Sequence, residues 1–206
     1  MMTEPLGVIL AGGQSSRMGG GDKCLLPLGQ GTLLSHVIER LRPQVGGMAL
    51  NANGDPARFS DFGLPVVGDT IAGFAGPLAG VLAGLDWAAA RGATQVVTVA
   101  ADTPFFPADL VSCLQAGTGA SGLAMAATPD PARGLSRHPT FALWPVSLRD
   151  DLRAALSGGL RKVVLWTDRH GCATVPFPVA AFDPFFNVNT PDDMARARDI
   201  LAGAGA

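Results

Sequence analysis

Apolar and polar positions follow two different periods along the chain, one typical of buried strands and the other of helices. Short runs that are mostly apolar predict strands covered on both faces of a sheet. These runs are Leu6–Ala11, Gly47–Asn53, Leu64–Val67, Gln95–Ala101, Ala124–Thr128 and Thr140–Trp144. Apolar residues spaced three and four apart predict helices instead. The predicted helices are Leu33–Leu41, one beginning near Pro77, Ala108–Leu114 and Ser147–Leu156.

Residues suited to helix N-termini mark two helix starts. Thr32 precedes the first predicted helix, and threonine is a favoured N-cap residue. A last helix is predicted after Thr190, with Pro191 at its first position and two aspartates beside its positive end. The segment before that helix, Phe186–Val188, predicts a final strand or bridge.

Strands and helices alternate along the chain, and no repeat, linker or block of charge interrupts them. This alternation is typical of βαβ units. It predicts an α/β protein with a single doubly wound, Rossmann-like, mostly parallel sheet and helices on both faces. A chain of 206 residues is long enough for one well-cored domain and marginal for two, so we predict one domain over residues 1–206.

Composition narrows the class of protein. A hydrophobic content of 48% excludes a disordered chain, because enough apolar surface is available to offset the entropy of ordering. Only 16% of the residues are charged, against about 25% in a typical domain. The 15 basic residues are scattered among 17 acidic ones, so no nucleic-acid partner is expected.

Other sequence features indicate the cellular compartment in which the protein is expected. The three cysteines lie far apart, which predicts neither a disulfide framework nor a zinc site. The longest uncharged apolar stretch, 70–85, is broken by Pro77 and four glycines, so no membrane span is expected. The first residues include Glu4 and no basic region, and Val8-Ile9-Leu10 is too short for the apolar part of a signal peptide, so no leader is expected. We therefore expect a cytoplasmic protein without membrane partners.

Polar residues follow four predicted strands at the points where those strands end. A glycine-rich loop, 12–23, follows the first strand, and Asn51–Asn53 ends the second. Gly68 and Asp69 follow the third strand, and 102–104 follows the fourth. Ligands of doubly wound sheets bind beyond the carboxyl ends of the strands. The sequence therefore predicts one polar site at that edge.

The loop after the first strand has the chemistry of a phosphate site. Five of the ten residues from Gly12 to Gly21 are glycine, which lets backbone N–H groups approach phosphate oxygens. Arg17 and Lys23 add cations that suit a triphosphate, and a plain flexible turn would not need them. The spacing matches neither the dinucleotide fingerprint nor a Walker A loop, which disfavours a dehydrogenase.

The loop and several later motifs resemble a known family. Leu10-Ala11-Gly12-Gly13, with Ser15-x-Arg17-Met18-Gly19 and Asp22-Lys23, resembles the signature of nucleotidyltransferases that build sugar nucleotides and related cofactors. Further stretches resemble the molybdenum cofactor guanylyltransferase family in order and spacing. They are Asn51-Ala52-Asn53, Gly76-Pro77-Leu78-Ala79-Gly80, Asp102-Thr103-Pro104, His138-Pro139-Thr140 and Asn187-Val188-Asn189-Thr190-Pro191.

This resemblance implies a reaction and its participants. GMP would pass from GTP to molybdenum-bound molybdopterin, which gives the guanine dinucleotide cofactor and pyrophosphate, with Mg²⁺ as the cofactor of the enzyme. The N-terminal part of one nucleotidyltransferase domain would bind GTP, and the C-terminal part would contribute to the molybdopterin site. Transient contacts with proteins of cofactor synthesis, or with molybdoenzymes, are further expectations.

The resemblance also implies roles for individual residues. The implied GTP contacts are Leu10, Ala11, Gly12, Gly13, Lys23, Asn51, Asp69 and Asp102. Arg17, Lys23 and Asp102 would be catalytic, and Asp102 would also be the magnesium ligand. Asn187 and Asn189 would lie on the side of the pterin substrate.

Other interpretations of these residues stay open from the sequence. Asp102, Asp69 and Asn51 are residue types that also serve as plain turn residues. His138 is predicted to be a hydrogen-bonding residue of a strand end, and Cys24, without a neighbouring base, is not expected to be a nucleophile.

Other activities also stay open. Leu-Ala-Gly-Gly looks like the guanylyl form of the motif, whereas Leu-Ala-Ala-Gly looks like the cytidylyl form, so guanine is favoured. The alternatives are a molybdopterin cytidylyltransferase, another nucleotidyltransferase of the sugar-nucleotide type, and a non-catalytic protein that binds a nucleotide or cofactor.

Overall fold

The fold is that of a computed structural model, which describes residues 4–12, 22–71 and 76–203. Its strands are β1 (Leu6–Leu10), β2 (Pro27–Leu28), β3 (Gly31–Thr32), β4 (Met48–Asn51), β5 (Val66–Val67), β6 (Gln95–Ala100), β7 (Ala124–Asp130), β8 (Gly134–Pro145) and β9 (Ala173–Pro176). Its α-helices are α1 (Leu33–Leu41), α2 (Pro77–Ala89), α3 (Leu110–Gly117), α4 (Arg149–Ser157), α5 (Val163–Arg169) and α6 (Pro191–Gly203). Short 3₁₀ segments lie at Lys23–Leu25, Arg42–Gln44, Pro56–Phe62 and Val146–Leu148.

Most of the strands belong to one sheet. Within the described residues seven strands pair in the order β5-β4-β1-β6-β8-β7-β9, and β2 and β3 form a separate antiparallel ribbon. β1 runs parallel to β4 and β6, with Leu10 opposite both Asn51 and Ala100. β8 runs antiparallel to both of its neighbours, β6 and β7. The carboxyl ends of β1, β4 and β6 therefore meet at one edge, and the predicted mostly parallel sheet is confirmed.

Helices cover both faces of this sheet, as the alternating pattern predicted. α1 and α3 bury their apolar sides against one face, and α2, α4 and α5 pack on the other. α2 approaches β1 closely because it carries a glycine at the crossing. A Cβ atom at Gly84 would lie 2.8 Å from Cγ2 of Val8. No helix among the described residues has the length and apolarity needed to cross a bilayer.

Two predicted caps hold the ends of helices. Thr32 caps α1, since its side chain accepts a hydrogen bond from the backbone N–H of Ser35 at 3.1 Å. Thr190 caps α6 by accepting from the N–H of Asp193 at 3.1 Å. In return, the Asp193 carboxylate accepts from the N–H groups of Asn189 and Thr190, both at 2.9 Å. These backbone donors hold the pKa of Asp193 below its ordinary value, because they stabilise the ionised form.

The second half of the chain departs from the sequence prediction in three places. β7 and β8 extend past the predicted runs and form a long antiparallel hairpin. The short elements α5 and β9 were not predicted, because seven and four residues are too few for a clear period. The predicted strand or bridge at Phe186–Val188 is wrong. Val188 donates one backbone hydrogen bond to the Asp102 carbonyl, at 2.9 Å, and no strand forms because β1 and β8 already occupy both edges of β6.

Candidate active site

The ends of β1, β4 and β6 bring most of the predicted site residues to one edge of the sheet. Leu10 and Asn51 end their strands side by side, and Asp102 lies two residues beyond the end of β6. The backbone at the end of β1 is partly used by the sheet. The N–H of Ala11 donates to the Asn51 carbonyl at 2.9 Å, and the Leu10 carbonyl accepts from Ala101 at 3.1 Å. Two other predicted residues, Gly13 and Arg17, lie outside the described residues.

Lys23 joins side chains that are far apart in the sequence. Its Nζ donates to Oδ2 of Asp102 and to Oδ1 of Asn189, both at 2.6 Å. The side chains of Lys23 and Asp102 are only 16% and 22% exposed, so their ion pair is shielded from much of the solvent. A predicted catalytic cation, a predicted metal ligand and a residue of the predicted pterin side therefore share one cluster.

A second polar cluster lies at the ends of β4 and β5. The amide nitrogen of Asn51 donates to Asp69 Oδ1 at 3.0 Å and to the Val67 carbonyl at 3.1 Å. Asn53 holds Asp69 twice, by donating to Oδ2 at 2.8 Å and accepting from the Asp69 N–H at 2.9 Å. These bonds fix the Asn51 amide so that its oxygen faces the end of β1 and the start of α2.

Small residues leave room for that amide oxygen. A Cβ atom at Gly12 would lie 3.7 Å from Asn51 Oδ1. At Gly80, in the first turns of α2, a Cβ atom would come within 2.9 Å of Asn51 Cγ and still closer to Oδ1. Only glycine at position 80 therefore leaves this arrangement undisturbed.

The segment before α6 is fastened to the end of β6. Asn187 Oδ1 accepts a short hydrogen bond from Oγ1 of Thr103, whose side chain is fully buried. Val188 bonds the Asp102 carbonyl, and Asn189 contacts Lys23. Both residues predicted on the pterin side thus contact a neighbour of Asp102, since Asn187 bonds Thr103 and Asn189 bonds Lys23. Sequence reasoning gave no role to Thr103, although its position inside the Asp102-Thr103-Pro104 motif was a signal.

The site also includes an arginine that sequence reasoning missed. Arg58, in the 3₁₀ segment Pro56–Phe62, lies with its Nε 2.7 Å from Oδ2 of Asp22, the residue before Lys23. No motif or predicted strand end pointed to position 58, because the 3₁₀ segment lies between β4 and β5 and has no helical period of its own.

The surroundings of His138 and Cys24 shift the pKa of each side chain away from its ordinary value. His138 Nε2 lies 2.9 Å from Oγ1 of Thr128, and its ring stacks on Phe185 with 4.4 Å between centroids. Burial lowers the pKa of His138, so its ring tends to stay neutral. Burial raises the pKa of the Cys24 thiol to about 12, so the thiol is protonated at neutral pH and is a poor nucleophile.

The donor set near Asp102 suits a magnesium ion that is bound mainly through substrate. In the part of the chain that the structure describes, no three acidic, histidine or cysteine side chains gather into a metal centre. Mg²⁺ commonly uses one or two carboxylates and takes its other ligands from water and phosphate oxygens. One partly exposed carboxylate at a strand end, beside a cation that would also face phosphates, fits that pattern.

Comparisons with known proteins show which family the chain resembles. The sequence profile of the MobA-like NTP transferase domain matches residues 7–171. The molybdenum cofactor guanylyltransferase of Mesorhizobium japonicum is 52% identical, over 98% of this chain and 98% of that protein. The one from Bradyrhizobium sp. (strain ORS 278) is 53% identical, over 95% of this chain and 92% of that protein.

A solved structure matches the fold over almost the same length. The crystal structure of molybdopterin-guanine dinucleotide biosynthesis protein A from Archaeoglobus fulgidus has a TM-score of 0.70 and 25% sequence identity, and covers 96% of this chain and 99% of that one. The profile match extends over most of the chain and includes most of β1, Lys23, β4, α2 and Asp102. The chain therefore belongs to the MobA-like NTP transferase domain family.

Proposed function

We propose that this chain transfers GMP from GTP to molybdenum-bound molybdopterin, and that it releases pyrophosphate. The observation that carries the proposal is the Lys23 cluster, where one ammonium group links Asp102 at the end of β6 to Asn189 before α6. A cation and a carboxylate at this edge suit a triphosphate, and Asn189 is where a second substrate would be expected. The names of relatives about half identical to this chain support guanylyl transfer over the cytidylyl and sugar-nucleotide alternatives.

The proposed reaction mainly requires that the two substrates be aligned. A terminal phosphate oxygen of the pterin attacks the α-phosphorus of GTP in line, the new P–O bond forms, and the bond to the β-phosphate oxygen breaks. Pyrophosphate leaves with that electron pair. The attacking oxygen is already anionic near neutral pH, so no general base is required. The protein therefore contributes by positioning and by balancing charge.

Individual roles follow from the two polar clusters. Lys23, together with Arg17, would offset the charge that gathers on the leaving pyrophosphate. Asp102 would hold Mg²⁺, which when bound neutralises charge on phosphate oxygens. The ion pair with Asp102 keeps Lys23 at the same edge before substrates arrive.

The remaining contacts divide between the two substrates. Leu10, Ala11, Gly12 and Gly13 would line the GTP side through groups that the sheet leaves available. The Asn51 amide oxygen would act as an acceptor for GTP, with Asp69 holding the amide in place. On the pterin side, Asn187 and Asn189 would contact the acceptor. GTP thus meets mainly the N-terminal part of the domain, and the pterin meets the C-terminal part.

A nucleotide panel tests the proposal directly. Pyrophosphate release should be measured with GTP, CTP, ATP or UTP, each with Mg²⁺ and with or without molybdopterin. We expect release that depends on the pterin and is fastest with GTP. Faster release with CTP would indicate a cytidylyltransferase instead. Tight nucleotide binding without any release would favour a non-catalytic binding protein.

Replacing Gly80 by alanine is expected to raise the KM for GTP about tenfold. The new methyl group would collide with the Asn51 amide, which is 3% exposed and tied to Asp69 and therefore has little room to move. The measurement is the KM for GTP at saturating molybdopterin.

Gly84→Ala is the matched control for this change. Gly84 lies one helical turn further along α2, and its new Cβ atom would press on Val8 rather than on a polar site residue. In both variants the change from glycine to alanine stabilises the helix itself by the same amount, about 1 kcal/mol. Equal KM values for the two variants would contradict the role given to Asn51.

A further inference from the structure

Arg58 contacts two segments of the candidate site at once. Its Nε lies 2.7 Å from Asp22 Oδ2, and its Nη2 donates to the Asn53 carbonyl at 2.5 Å. The guanidinium also lies over the ring of Phe59, 4.8 Å from its centroid, and Phe59 itself is buried in the core.

Each polar partner of Arg58 leads directly to one of the two polar clusters. Asp22 precedes Lys23, and its backbone carbonyl accepts a hydrogen bond from the Leu25 N–H at 2.9 Å, which closes the 3₁₀ turn that carries Lys23. Asn53 holds Asp69 by two hydrogen bonds. Through Arg58, a continuous chain of contacts links the Lys23 turn to the ends of β4 and β5.

The local backbone makes room for this arrangement. Gly54 has a φ of +85°, and a Cβ atom there would lie 2.9 Å from the Nη1 of Arg58. Asp55 accepts from the N–H of Ala57 at 2.9 Å, which starts the 3₁₀ segment that carries Arg58. A glycine turn followed by a capped segment therefore places the guanidinium between Asp22 and Asn53.

We infer that Arg58 is a positioning residue that fixes Lys23 for the triphosphate by bridging Asp22 to the Asn53 carbonyl. The inference rests on the proposed function for its kinetic consequence, though not for its geometry. A guanidinium is suited to the task, because its planar fork can serve a carboxylate and a carbonyl together. The side chains of Arg58 and Asp22 are 31% and 24% exposed, so we expect their ion pair to contribute little to stability and mainly to define geometry.

The accessibility of the Lys23 amine can be measured without an activity assay. Lys23 and Lys162 are the only lysines in the sequence. Lys23 is largely shielded and doubly bonded, whereas Lys162 is exposed. Brief labelling with an amine-acylating reagent, followed by mass spectrometry, gives the ratio of modification at the two lysines within a single sample.

Arg58→Gln is expected to raise the Lys23-to-Lys162 labelling ratio several-fold while the unfolding temperature stays close to that of the wild type. Arg91→Gln is the matched control, since Arg91 also stacks on a ring, that of Trp87, and bonds a backbone carbonyl, but lies just beyond the C-terminal end of α2. Arg91→Gln should leave the ratio unchanged. An unchanged ratio in Arg58→Gln would overturn the inference, whatever the nucleotide panel shows.

Steady-state kinetics with GTP test the positioning role of Arg58 in a second way. Arg58→Gln should lower kcat/KM for GTP about 10- to 100-fold, and Arg58→Lys should recover part of the loss. On a Lys23→Met background, Arg58→Gln should cost little more, because both changes act through the same ammonium group. Full additivity would overturn the inference. A shifted labelling ratio in a protein without GMP transfer would refute the proposed function and leave the positioning role intact.

Discussion

Asp102→Asn is expected to lower the rate of GMP transfer by at least ~10²–10³-fold in a protein that remains folded. Asparagine keeps the size of the side chain and removes its charge. The Lys23 ammonium, 2.6 Å from Oδ2, then loses its ion-pair partner, and the proposed Mg²⁺ loses its carboxylate ligand. The measurement is pyrophosphate release from GTP and molybdopterin over a range of Mg²⁺ concentrations, with circular dichroism as the check on folding.

The magnesium series separates the two roles of Asp102. If the carboxylate holds Mg²⁺, the variant should need a much higher Mg²⁺ concentration for half-maximal rate than the wild type does. If it only orients Lys23, the rate should fall with no change in that concentration. Asp109→Asn, an exposed position just before α3, is the control and should behave as wild type. Near-normal turnover in Asp102→Asn would exclude both roles.

Lys23→Met is expected to reduce kcat/KM for GTP by ~10²–10³-fold, an effect of the same order. Methionine keeps much of the apolar stem and removes the ammonium that contacts Asp102 and Asn189. The charge on the leaving pyrophosphate would then be less well balanced. Lys162→Met, which alters the only other lysine, should leave kcat/KM unchanged. The measurement is steady-state kinetics with GTP varied at saturating molybdopterin.

Combining Lys23→Met with Asp102→Asn tests whether the two residues act together. Groups in direct contact give combined effects well below the sum of the single effects. We therefore expect the double variant to be only slightly slower than the slower single variant. Independent, multiplicative losses would argue that the ion pair plays no part in catalysis.

The sequence predicted best those parts of the fold whose signal is local. β1, β4 and β6 are buried central strands, and each showed as a run of apolar residues. The N-cap of α1 at Thr32 could also be predicted, because the capping hydrogen bond joins residues only a few positions apart. The antiparallel direction of β8 had no such signal, because strand direction depends on which distant edges pair.

Some residues of the candidate site could be predicted from the sequence and others could not. The motifs identified Lys23, Asp102, Asn51 and Asp69, because the carboxyl ends of parallel strands are where a doubly wound sheet binds ligands. They did not identify Arg58, whose role depends on two contacts made across the fold.

The sequence by itself determined the chemistry available at each position: glycines and a cation after the first strand, and a carboxylate after the strand that became β6. Only the tertiary structure decided which of these groups meet. The contact of Lys23 with Asn189 joins residues 166 positions apart. The segment predicted as a last strand is instead joined to the residues just after β6, by the hydrogen bonds of Asn187 with Thr103 and of Val188 with Asp102. The physical reason is that residue type and local period are set by neighbours along the chain, whereas distances across the site are set by the order in which the strands pair.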